Sequence, residues 1–124
     1  MLFRSVNMSE GRPFGFNIGQ VGLEKEELYA VAQVFGFAPT VAINVFAYAN
    51  APVDHRILAE LGIFFVRRYG GIVDFGGNLG AVSGRSGTVV EIPYVVDATP
   101  AAFHVSDAAF LEEWITDASF HMIK

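Results

Sequence analysis

Apolar positions along this chain switch between helical and strand-like spacing. Leu28, Val31, Ala32 and Phe35 fall on one helical face and predict a helix over Glu24–Phe35. Glu24, Glu26 and Glu27 occupy its first turn, where the helix dipole favours negative charge, and Gly36 is a stop signal. Val41–Tyr48 is apolar on both faces except at Asn44, the pattern of a central strand covered on both sides. Pro52 and Asp54 open a second helix that runs to about Tyr69. Proline in a first turn costs no hydrogen bond. Ile57, Leu58, Leu61, Phe64 and Phe65 form its predicted buried stripe, and Gly70-Gly71 ends it after Arg67 and Arg68.

Shorter elements surround these. Leu2–Met8 alternates weakly and reads as a first strand, and Ile72–Phe75 as a short one. Thr88–Val96 reads as a longer strand that Pro93 confines to an edge or a bulge. Phe103–Val105 adds a strand. Ser106 or Asp107 caps a third helix through about Asp117, with Phe110, Leu111, Trp114 and Ile115 inward and Glu112 and Glu113 outward. Phe120–Ile123 reads as a closing strand, and the glycine-rich stretches Ser9–Gln20 and Gly76–Gly87 as loops. This order predicts an α+β fold: a single domain over residues 1–124, with one mixed β-sheet and about three helices packed against it. Its predicted core takes in Leu28, Val31, Phe35, Val41, Ile43, Val45, Leu58, Leu61, Phe65, Ile72, Val90, Phe110, Leu111 and Trp114.

Composition supports a packed core. Apolar residues make up 52% of the 124 positions, and phenylalanine alone supplies 12. Such a chain buries enough area to fold without staples. It has no cysteine, which removes disulfides, thiolate metal sites and thiol catalysis. The N-terminal MLFRSVNMSEGRPFG lacks a signal-like apolar region. The apolar runs Val41–Ala49 and Ile57–Val66 are too short to span a bilayer, so the expectation is a cytoplasmic protein without membrane contact. The net charge is −5, and Arg67-Arg68 is the only adjacent basic pair, which argues against nucleic acid as a partner. An acidic surface speeds encounter with a basic partner.

Motifs for chemistry are sparse. Gly70–Gly80 has neither the dinucleotide nor the P-loop spacing, and its glycines follow a helix where a phosphate cradle needs them to precede one. Ser83–Gly87 lacks the spacing of a nucleophile elbow and reads as a hairpin tip. His55, His104 and His121 are not at metal-ligand spacing, so no metal or cofactor is expected. Asp74 stands between Val73 and Phe75, where its carboxylate needs donors, and the Gly76-Gly77 turn has amides to supply them. His104 and Asp107 flank a helix start, a spacing suited to a cap. No catalytic constellation emerges, and the chain is not read as an enzyme.

The second half carries a further pattern. It runs from Phe65 through Arg67-Arg68-Tyr69-Gly70-Gly71 and Asp74-Phe75-Gly76-Gly77 to the stretch VVEIPY at Val89–Tyr94. It continues with His104-Val105-Ser106-Asp107, Phe110-Leu111, Trp114 and the ending Phe120–Lys124. This resembles small, uncharacterised bacterial proteins found beside polymorphic toxins and read as immunity proteins. The resemblance implies a protein that binds and neutralises a cognate toxin domain by stoichiometric binding. Two acidic clusters are then the candidate partner-binding surfaces: Glu24, Glu26 and Glu27 beside Tyr29, and Glu112, Glu113 and Asp117. The alternative is a small-molecule-binding or catalytic domain with a pocket near Asp74 and His104. A third reading is self-association through apolar surface, and the oligomeric state is left open.

Overall fold

The three long helical patterns become helices for local reasons. In the computed structural model, which describes residues 2–4 and 13–123, α1 spans Lys25–Phe35 and starts where the Glu24 amide donates to Glu27 Oε1 at 2.7 Å. This satisfies one of the orphan amides of the first turn. Helix α2 spans Pro52–Tyr69, and at its start the Ala51 amide donates to Asp54 Oδ2 at 2.8 Å. Helix α3 spans Ala108–Trp114 and is capped by Asp107, whose Oδ1 accepts from the Phe110 amide at 2.9 Å. It ends three residues earlier than the spacing predicts, as Thr116 and Asp117 turn back on the Glu113 and Trp114 carbonyls.

The α+β class is as the sequence predicts, with three helices among the described residues, but the sheet is divided. Strands β1 (Leu2–Arg4), β2 (Pro13–Gly19) and β3 (Ala42–Ala47) form one antiparallel sheet in the order β1-β2-β3. Strands β4 (Val73–Asp74), β5 (Val89–Val96) and β6 (Thr99–Ser106) form another, also antiparallel, in the order β4-β6-β5. In place of a single mixed sheet, α2 lies between the two. Ile57 and Leu58 pack with Phe14 of β2, while Ala59, Ile63 and Val66 pack against the α3 side.

Several local expectations change. Among the described residues strand β3 lies at a sheet edge and pairs with β2 alone, and Val41 beside it is 60% exposed. Its second apolar face is the solvent-facing one, where Phe46 meets Tyr48 edge to face. Within the stretch Ser9–Gln20, whose glycines predict a loop, Pro13–Gly19 is the central strand of its sheet. Gly15 belongs there because a Cβ at this position would lie 2.4 Å from the Phe46 ring. Phe64, expected in the buried stripe, is exposed, whereas Phe65 packs toward Phe16. Phe120–Ile123 forms no strand, and the predicted strand beyond Arg4 lies outside the described residues.

Strand β5 is an edge strand, the place Pro93 requires. It turns into β6 through Asp97 and Ala98, both at positive φ, the hand that suits the twist of a two-residue hairpin. Val31 of α1 packs on Ile92, Phe103 and Val105 of this sheet. On its other face Val73, Phe75 and Leu79 pack with Phe110, Leu111 and Trp114.

Candidate functional site

Residues at the start of α1 and residues of the β4-β6-β5 sheet together line an open groove of about 600 Å³. Leu23, Tyr94 and Phe103 give it an apolar floor, with the Tyr94 and Phe103 rings 5.7 Å apart. Glu24, Glu26 and Glu27 line it from the helix, and Asp74 and Gly76 from β4 and the turn after it. The groove thus combines one of the two predicted acidic clusters with one of the predicted pocket residues. Tyr29, expected beside that cluster, is 67% exposed and is not part of the lining.

Strand register explains this convergence. Asp74 pairs with Val105, so both project toward the α1 side, and the Ile92–Phe103 pair projects the same way. The Asp74 carboxylate accepts the Gly76 amide at 2.8 Å, the turn partner expected from the sequence. The groove walls strip part of its water and push its pKa up from the ordinary aspartate value. The Gly76 amide opposes this shift, and the charge of Glu27 adds to it.

His104 does not join Asp74. It neighbours Val105 on β6 and therefore points to the opposite face of the sheet. The ring is buried, and its Nδ1 accepts the Leu79 amide at 2.9 Å. Its Nε2 lies 3.9 Å from Glu91 Oε2. Burial lowers the His104 pKa, and Glu91 pulls the other way. A pocket built from Asp74 and His104 together is thus excluded by strand alternation. Nor does His104 serve as a cap partner for Asp107, whose two oxygens receive Phe110 and Thr88 amides.

The second acidic cluster has internal partners. Glu112 pairs with Arg67, Glu113 accepts the Ser86 amide, and Asp117 pairs with Arg85, whose Nε lies 2.9 Å away. The Ser86 hydrogen bonds hold Glu113 below the usual glutamate range. The Ser119 amide, followed by Arg85, does the same for Asp117. Arg85 also lies over the Trp114 ring, 5.0 Å from its centroid. Glu113 and Asp117 staple the glycine-rich Gly80–Thr88 loop to α3 and the turn after it, and Glu112 ties α3 to α2, roles that sequence spacing does not show. The groove's floor was missed as well. The alternation Val90, Ile92, Tyr94 on one face of β5 is the signal that marks Tyr94 as a floor residue.

Among the described residues, no group of three or more His, Asp or Glu side chains is placed to hold a metal ion. Among them also, no helix is long and apolar enough to cross a membrane.

Fold and site together define an α+β protein with an open, carboxylate-rimmed groove on one face of an antiparallel sheet. The chain belongs to the family of unknown function DUF6368, which matches residues 3–124. No curated protein and no solved structure matches it.

Proposed function

We propose that this protein acts by binding another protein, as an immunity-type protein that neutralises a cognate bacterial toxin domain stoichiometrically, with the groove as its contact surface. The observation that carries this reading is the set of four carboxylates, from Glu24, Glu26, Glu27 and Asp74, around an apolar floor. Interfaces favour aromatic anchors ringed by polar groups, and opposite charge raises the rate of encounter. The groove is open rather than enclosed, the shape that receives a basic protein loop rather than a small molecule held on all sides. The net charge of −5 adds to the same field.

The test is charge reversal with the fold preserved. Glu26 lines the groove and is exposed, so Glu26→Lys reverses a surface charge at a cost to the helix of only about 1 kcal/mol or less, from the dipole of the first turn. Paired with Tyr94→Ala, it removes a charge and an anchor. The assay is protection of a cell that expresses the toxin-like product of the adjacent gene, together with association kinetics at two salt concentrations. Association should slow about tenfold and lose much of its salt dependence. Glu112→Gln, on α3, should leave protection unchanged. Equal protection by the parent and the double variant, or loss with Glu112→Gln alone, overturns the assignment of this surface. No association between the parent and that product overturns the toxin reading itself.

A further inference from the structure

His104 holds the segment after β4 by three links. The Phe75 amide donates to the His104 carbonyl at 3.0 Å, and the His104 amide donates to the Gly77 carbonyl at 3.0 Å. The Leu79 amide donates to the ring at Nδ1, at 2.9 Å. An amide N–H can only donate, so Nδ1 carries a lone pair and the neutral ring keeps its proton on Nε2. His104 is 2% exposed and Leu79 5%, so neither group can exchange this partner for bulk water without local opening. Leu79 in turn packs among Phe75, Phe110 and Trp114.

We propose that His104 is a proton-sensitive latch for the Phe75–Gly80 segment: a second proton, placed on Nδ1, expels the Leu79 amide and releases the segment. The proton comes from solvent, and the product is the imidazolium. Two N–H groups then face each other where one hydrogen bond stood. Gly76, on the same segment, borders the groove, so release reshapes that wall.

The charges around the ring set the direction. Glu91, from β5, is the charged group that faces it among the described residues, and it favours the imidazolium. The segment Phe75–Gly80 brings no ionisable side chain, and Asp74 projects from the other face of the sheet. The α3 residues around Leu79 are Phe110, Leu111 and Trp114. Desolvation outweighs Glu91, and the closed form holds the ring below its ordinary value of 6.5. An opened segment lets the ring titrate near that value. Closure is therefore fully favoured above it and weakens as pH falls toward the closed-state pKa.

Nitrogen-15 NMR of the imidazole and amide exchange at Leu79 and Gly77 test the latch. At pH 7.5 the ring should be the neutral Nε2–H tautomer. Between pH 6.5 and the closed-state pKa the opening equilibrium at Leu79 should rise as pH falls, by at most about tenfold per pH unit, and level off below, after correction for intrinsic exchange. His104→Asn places an amide oxygen near the Nδ1 position without titrating, and should keep the segment protected while abolishing that slope. His104→Leu should leave Leu79 unprotected at every pH. A neutral Nδ1–H tautomer, or the same slope in His104→Asn as in the parent, overturns the proposal. If neither variant folds, the parent's tautomer and slope decide it.

Discussion

Asp74 and Glu27 share one groove, and their repulsion adds to the water that Asp74 has lost. Lost water first, then Glu27, raises the Asp74 pKa above its ordinary value of 3.8. The folded state therefore binds this proton more tightly than the unfolded chain. That contribution is fully present below the unfolded pKa and is lost as pH rises through the folded one. Asp74→Asn keeps the Oδ1 acceptor for the Gly76 amide and removes the charge. It is expected to be at least as stable as the parent at pH 7 and to lose the gain that acidification gives at this site. Urea unfolding at pH 7 and pH 4 measures both, and lower stability at pH 7 would show that the charge itself is stabilising. The turn amide was legible in the sequence because it is two residues away. Glu27 as a neighbour was not, because helix α1 and strand β4 meet only in the fold. The same limit hid the separation of Asp74 from His104, which follows from the β4–β6 register.

Among elements, the loop from Gly80 to Thr88 shows how a glycine-rich stretch becomes fixed structure. Arg85, Ser86 and Thr88 each reach a carboxylate in or beside α3: Asp117 in the turn after it, Glu113 within it and Asp107 at its cap. Gly87 passes so close that a Cβ would lie 2.3 Å from the Phe110 amide nitrogen, and its φ is +77°. Both facts demand glycine. Gly87→Ala is expected to cost about 2 kcal/mol or more, through strain and through displacement of the Asp107 cap. Thermal unfolding of the variant checks it, and a loss below about 0.5 kcal/mol would mean that the loop moves aside freely. In sequence this stretch is a loop, correctly, but nothing local says what it is tied to. Helices α1, α2 and α3 were legible because each carries its own cap and stripe. Strand β2 was not, because Gly15 and Gly19 carry the composition of a turn while Phe14, Phe16 and Ile18 carry the alternation.

At the scale of the molecule, the question is what joins a sheet on one side of α2 to the sheet on the other. Met122 packs against the cluster around Trp114 and also against the cluster of Phe14, Ile57 and Leu58. Its amide donates to His55 Nδ1 at 2.9 Å, and the neighbouring His121 carbonyl accepts Trp114 Nε1 at 3.0 Å. The segment that sequence spacing reads as a strand is thus a strap, with its hydrogen bonds spent on α2 and α3 side chains rather than on a ladder. Methionine suits this place because its unbranched side chain fills an irregular gap between two packed groups. Met122→Ala is expected to cost about 1–2 kcal/mol, less than a fully buried methionine because the residue is half-buried. The size of the loss is less telling than where it appears. If Met122 couples the two clusters, amide exchange should accelerate both at Leu58 on α2 and at Leu111 on α3, by about 5- to 30-fold when exchange follows global unfolding. Acceleration at one site with the other unchanged would mean that the clusters unfold separately and that the strap serves only one of them.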